Sequence, residues 1–296
     1  MPPTQPAPKD APLPHRGKAR RSENDLLAAG RDALSPLERA QIRFIRRTLR
    51  PGPLDRTVRA LQATVGQWWI LAATQRLRHV HGLERLPPLG PSSSVILVAN
   101  HRSFFDLYVA TAVLVSNGMP LRILFPVRST FFYDHPLGPL VNGLMSFFAM
   151  YPPIFRDRKR AALNLASLGE AAELLQRGGF FVGLHPEGTR NTGGDPYTLL
   201  PPQSGVGRLI RAAIAKRPVP VVPVFVNGLG NDLPRQVASG VTGRGAPIHV
   251  VFGAPVDFGA LASAPDIPAT HKRIAEACLT AIRTLGEEEK VLRSST

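Results

Sequence analysis

SSVILVANHRSFFD, residues 93–106, passes from an unbroken apolar run into a polar turn and back to apolar residues within a few positions. The run Val95–Ala99 has no polar alternation, which is the pattern of a strand buried on both faces. Ser103 is a good helix N-cap, so the spacing predicts a strand over 93–100 and a helix from Ser103 to about Ser116. The turn between them holds His101 and Asp106. On an uninterrupted helix five residues turn the chain by about 500°, which leaves two such side chains roughly 140° apart. They meet only if His101 precedes the helix and Asp106 lies in its first turn. SFFD is also a near capping box, in which Asp106 would satisfy an orphan backbone amide and His101 would be an ordinary loop residue. This stretch alone leaves both readings open.

The same texture extends outward. LRILFPV (121–127), GGFFVGL (178–184), VPVVPVFVNG (219–228) and PIHVVFGAPV (247–256) read as strands. Helical patterns cover 136–150, 158–177, 205–217 and 268–285, the last with Ile274, Cys278, Ile282 and Leu285 on its inward face. Strands alternating with helices predict an α/β fold, a mostly parallel sheet flanked by helices. An N-terminal amphipathic helical hairpin precedes it. SPLE (35–38) offers a serine cap, proline at the first helical position and glutamate three after the cap, so a helix should run from Ser35 to about Arg50. A second should span Leu54 to Leu77. Residues 1–34 are polar and proline-rich and read as a disordered tail. The expected division is therefore 1–34 tail, 35–78 membrane-associating hairpin and 79–296 catalytic domain.

Composition narrows the function classes. Apolar residues make up 44% and charged residues 19%, which describes a folded chain. The formal charge of +15 suits nucleic acid, an anionic membrane surface or acidic small substrates. Only six of the 36 basic residues are lysine, so part of this excess is a plain preference for arginine. No zinc spacing or basic-aromatic stripe supports nucleic acid. The first 60 residues carry 13 Lys/Arg against 6 Asp/Glu, and arginine-rich amphipathic helices containing Trp68 and Trp69 suit the headgroup layer of a bilayer. No apolar run approaches the roughly 18 residues needed to span one. Cys278 is the sole cysteine, so neither an internal disulfide nor a thiolate metal site can form, and the histidines are too scattered for a metal. The expected location is the cytoplasmic face of a membrane, held peripherally.

Three further blocks accompany NHRSFFD (100–106): PIFRDR (153–158), HPEGTRN (185–191) and VPVVPV (219–224). In this order they resemble the glycerolipid acyltransferase family, which contains the 1-acylglycerol-3-phosphate acyltransferases. The resemblance covers about residues 78–255. It implies transfer of an acyl group from acyl-CoA or acyl-carrier protein to a lysophospholipid hydroxyl, with 1-acyl-glycerol-3-phosphate as the favoured acceptor and no cofactor. In that reading His101 is the general base and Asp106 its orienting carboxylate. Arg158 and Arg190 are the implied phosphate ligands, with Arg156 an alternative to Arg158. Glu187 would bind an acceptor hydroxyl or fix its loop, Gly188 would let backbone approach the ligand, and Thr189 would bond phosphate or cap the loop.

Two departures matter. His185 stands where the family usually has an aromatic or apolar residue, and it would be a second titrating group or inert. PPQSGVG (201–207) has Gln203 and Ser204 where many relatives carry lysines, which leaves room for another lyso-lipid acceptor such as a lyso-ornithine lipid. Two other classes stay open. One is a non-catalytic membrane-surface protein. The other is a serine hydrolase using Ser103 or Ser204, although the Gly-x-Ser-x-Gly elbow is missing.

Overall fold

The computed structural model describes residues 24–295. The apolar run of the opening segment becomes β2 (Ser94–Ala99), every residue of which is buried. It lies at the centre of a seven-stranded sheet with order β1-β7-β6-β2-β5-β3-β4. The other strands are β1 (Arg78–His81), β3 (Arg122–Arg128), β4 (Met150–Ile154), β5 (Phe180–Leu184), β6 (Val221–Asn227) and β7 (Ile248–Phe252). All neighbouring pairs run parallel except β6 and β7. Helices α5 (Asp106–Ser116), α8 (Leu163–Arg177), α9 (Ser204–Ile214) and α11 (Pro268–Ser294) cover the sheet. The expected α/β class holds. Burial on both faces explains why the strands lack alternation: each fully buried aliphatic or aromatic side chain contributes about 1.5–3 kcal/mol, and β2 places one on each face at successive positions.

The N-terminal helices are part of this core. Helix α2 (Pro36–Thr48) starts with the expected capping box, Ser35 Oγ accepting from Glu38 N and Glu38 Oε2 accepting from Ser35 N. Its Ile42 and Ile45 are buried in the main cluster. Arg46 pairs with Glu170 of α8 at 2.6 Å, and Arg160 reaches back to Glu38 at 2.7 Å. The predicted helix over 54–77 is instead α3 (Pro53–Ala63) and α4 (Val65–Thr74), broken at Thr64, whose φ of −115° and ψ of −89° are not helical. Gln62 supplies the reason α3 cannot swing free. Its side chain pairs with the edge of β3 like an added strand residue, donating to Ile123 O and accepting from Ile123 N. Of the expected tail, residues 1–23 lie outside the described residues. Residues 24–34 are ordered: they carry the short helix α1 (Leu26–Ala29), and Leu26 and Leu34 are buried.

Other differences are local. The apolar segment expected as one helix over 136–150 becomes α7 (Gly138–Ser146), preceded by the one-turn α6 (Ser129–Phe132) and followed by β4. Phe147 and Phe148 adopt φ of 48° and 59°, a region that ends a helix. The Asn142 side chain fixes the reversal by bonding both the N–H and the carbonyl of Met150. Helix α10 (Leu233–Thr242) fills a segment with no predicted element and is capped by Asp232. Helix α11 continues nine residues past the expected end at Leu285, to Ser294.

Helices α9 and α11 meet where Gly207 faces the backbone of His271. A Cβ on Gly207 would lie 1.8 Å from the His271 carbonyl oxygen, so backbone would have to move. Gly207→Ala is expected to lower stability by about 1–3 kcal/mol through overpacking, read as an earlier urea midpoint.

Candidate active site

The parallel register of β2 and β5 assembles the site. Val98 stands opposite Leu184 as the last β2–β5 ladder pair, so Ala99 and His185 emerge from that ladder side by side, while Ala99 still pairs with Val224 of β6. Catalytic groups in open parallel sheets collect at this carboxyl end. On the other flank, Asn100 continues the ladder with its side chain, donating to Val226 O and accepting from Val226 N, each at 2.8 Å.

The turn after β2 is held from both sides. The His101 N–H donates to Glu187 Oε1 at 2.8 Å, and the His101 carbonyl accepts from Asn191 N at 2.8 Å. Glu187 Oε2 accepts from Leu200 N at 2.7 Å. The glutamate is buried and both its oxygens are occupied by backbone, so its bonds are those of a loop-fixing group. Gly188 has φ +65°, and a side chain there would strike Gln203, so only glycine suits the turn. Thr189 and Arg190 follow on the exposed side of the same loop.

Helix α5 begins at Asp106, not at Ser103. Ser103 instead donates its hydroxyl to Gly230 O and is fully buried, a structural bond and not the environment of a nucleophile. Asp106 Oδ2 accepts from Arg102 N and Ser103 N, each at 2.7 Å, and lies 3.6 Å from His101 Nδ1. One carboxylate oxygen thus bonds the two turn amides and also faces the imidazole. At 3.6 Å the pair is slightly longer than a hydrogen bond. Burial pushes the Asp106 carboxyl above its ordinary range, opposed by His101 and the two amides. Asp106 is 1% exposed while the His101 side chain is 19% exposed, so the imidazole is the member of the pair that a substrate can reach.

The sequence-named cations divide. Arg190 stands close enough to His185 to affect its protonation. Arg156, not Arg158, is the arginine of PIFRDR brought to this loop; its guanidinium donates to the Gly188 carbonyl. Arg158 is exposed and has no hydrogen bond or ion pair among the described residues. Sequence reasoning missed Asn191 and Asn100. A polar amide at the end of each strand-loop block was the available signal. It also missed the far brace of the loop, where Tyr197 donates its hydroxyl to Glu289 Oε2 of α11 at 2.8 Å. Glu289 is fully buried and also accepts from Asn227 Nδ2 and Arg293 Nε. Among the described residues no group of His, Cys, Asp or Glu is arranged to hold a metal.

An imidazole beside a buried carboxylate at the carboxyl end of a parallel sheet is an arrangement that can accept and return a proton. The comparisons give the family of the chain. The Acyltransferase family model matches residues 77–227, half of the chain, and spans the turn, the Glu187 loop and β6. This chain belongs to the acyltransferase family. It is 27% identical over 211 residues to the 1-acyl-sn-glycerol-3-phosphate acyltransferase alpha of Ovis aries, covering 71% of this chain and 64% of that protein. The corresponding Homo sapiens protein is 26% identical over 71% of this chain and 65% of its own length. The chain thus spans somewhat less than two thirds of these relatives. The crystal structure of the 1-acyl-sn-glycerophosphate (LPA) acyltransferase PlsC from Thermotoga maritima shares the fold, with a TM-score of 0.50 and 19% identity over 90% of this chain and 93% of that one.

The clamp on His101 makes a definite expectation. Glu187→Gln keeps the shape but turns an NH2 donor toward one of two backbone donors. It should cost about 1–3 kcal/mol in chemical denaturation, because a buried amide loses its acceptor. Turnover should fall further than that loss of folded protein explains.

Proposed function

We propose that this protein transfers a fatty acyl group from the thioester of acyl-CoA or acyl-carrier protein to the hydroxyl of a lysophospholipid. The favoured acceptor is 1-acyl-glycerol-3-phosphate, giving phosphatidic acid. The observation that carries the reading is the reachable His101 imidazole facing the buried Asp106 carboxylate. An alcohol attacks a thioester only as its proton leaves. His101 Nε2 accepts that proton, and Asp106 stabilises the imidazolium through Nδ1. Collapse of the tetrahedral intermediate breaks the carbon–sulfur bond, and His101 returns the proton to the departing thiolate. No enzyme nucleophile is needed. Arg190 and Arg156 are the cations beside the loop that suit an acceptor phosphate, since guanidinium binds phosphate bidentately. Gln203, packed against Gly188 in place of a lysine, favours the second reading, a lyso-lipid with a less anionic head.

The acceptor lives in a bilayer, and the surface has a face suited to one. Trp68 is 72% exposed and Leu144 70%, and Phe44, Val65, Leu137 and Leu140 are exposed with them. Phe44 meets Phe148 edge-on at 5.2 Å, and Gly66 abuts Phe147, so α2, α4 and the end of α7 share this face. Arg43 and Arg47 on α2 and Arg50 just past its end are exposed beside it. Among the described residues no helix is long and apolar enough to cross a membrane. Peripheral docking on an anionic, cytoplasm-facing leaflet is the mode this surface supports.

His101→Ala and Asp106→Asn should each cut acyl transfer roughly 100- to 10,000-fold while the thermal transition stays in place. Transfer is measured by mass spectrometry with a panel of lyso-acceptors and both donors. Wild-type rates in His101→Ala would overturn the assignment. Arg190→Ala should raise KM for the acceptor more than for the donor. Trp68→Ser with Leu144→Ser should weaken co-sedimentation with phosphatidylglycerol vesicles. Unchanged partitioning would show that this face is not the docking surface.

A further inference from the structure

The imidazole of His185 lies flat against that of His101. The ring centroids are 3.7 Å apart and the planes differ by 9°. The register of β2 and β5 causes this, since Ala99 and His185 are the first residues beyond the last ladder pair. His185 Nδ1 sits 3.1 Å from the Ala99 carbonyl oxygen. A carbonyl only accepts, so Nδ1 carries the hydrogen, and the neutral ring is the Nδ1–H tautomer. The strand that ends at Ala99, two residues before His101, therefore also fixes the ring stacked on His101.

We propose that His185 is a positioning residue for His101, a neutral ring pinned to the Ala99 carbonyl whose face receives the imidazolium formed when His101 takes the acceptor's proton. This rests on the reading of His101 as the base. An imidazolium over a neutral aromatic face gains cation–π attraction, largest where water is excluded. The arrangement requires that His185 stay uncharged, and its surroundings keep it so. Burial holds its pKa well below the ordinary histidine range, reinforced by His101 and by the Arg190 guanidinium. The charged groups acting on the pair are Asp106 from α5 and Glu187 and Arg190 from the loop after β5. The Arg190 guanidinium opposes a charge on His185, and His101, whose Nδ1 faces Asp106, is the ring placed to take the proton. A flat partner also restricts rotation of the His101 ring, keeping Nδ1 toward Asp106 and Nε2 toward the substrate.

The test compares His185→Leu, which fills the space without a π face, with His185→Phe, which restores the face without a second titrating nitrogen. The readouts are the His101 titration followed by NMR of 13Cε1- and 15N-labelled histidine, assigned with His101→Gln, and the pH profile of kcat/KM for acyl transfer. A lost imidazolium partner makes His101 release its proton more readily. In His185→Leu the His101 midpoint should therefore move down by about half a pH unit, and the acidic limb of kcat/KM should move with it. His185→Phe should return both to within about 0.2 unit of wild type, an allowance set by the residual difference in π-face strength. In wild type the His185 nitrogen shifts should report a neutral Nδ1–H ring. An unmoved or raised midpoint in His185→Leu, or equal behaviour of the Leu and Phe variants, overturns the proposal. A lowered NMR midpoint with no matching shift in kcat/KM leaves the stack standing and removes His101 as the base.

Discussion

The peptide of His101 is held at both ends by the loop that follows β5. Its N–H gives to Glu187 and its carbonyl takes from Asn191, so a turn after one strand is fastened by a loop that starts more than eighty residues later. Without that fastening the turn would be an ordinary strand-to-helix connection, and such connections are mobile. With it, the imidazole stands at a fixed height above the sheet. Asp106 then needs only to close the turn from inside, and its second task of facing the ring comes from the same placement. The central position of β2, flanked by β5 and β6, is what lets one turn be gripped from both neighbours.

Division of labour between charges follows from burial. Glu187 and Asp106 are carboxylates removed from water whose oxygens are taken up largely by backbone amides, a use that offsets the cost of desolvation. The arginines lie outward, on the exposed side of the loop. Among the described residues no ion pair joins Asp106 or Glu187 to Arg102, Arg156 or Arg190, so these guanidinium groups are not neutralised within the site.

Much of this was legible in the sequence because the strongest signals were the most buried ones. β2, β3, β5 and β6 announced themselves as apolar runs, and the Ser35–Glu38 capping box marked the start of α2 correctly. β1 did not: RHVH is four half-buried residues that owe their extended form to pairing with β7. The antiparallel direction of β7 is likewise a property of its partner and leaves no trace in its own residues. Helix α5 starts later than Ser103 suggested: that hydroxyl accepts from Phe105 N within the turn while donating to Gly230 O, and the Asp106 carboxylate bonds the amides of Arg102 and Ser103. Arg156 and Arg158 were indistinguishable as letters, since both follow the same apolar block and only the path of the chain decides which reaches Gly188. The role of Glu187 was visible as a pair of options, and the choice between them depended on Leu200, which no local pattern connects to it.

The brace between Tyr197 and Glu289 ties the loop to α11, 92 residues further along. On a ribosome, the histidine turn and its loop are synthesised before that helix emerges. The loop that grips His101 therefore lacks its outer support until α11 has been made and packed. A polypeptide that stopped short of this helix would carry every residue of the four blocks yet lack the brace.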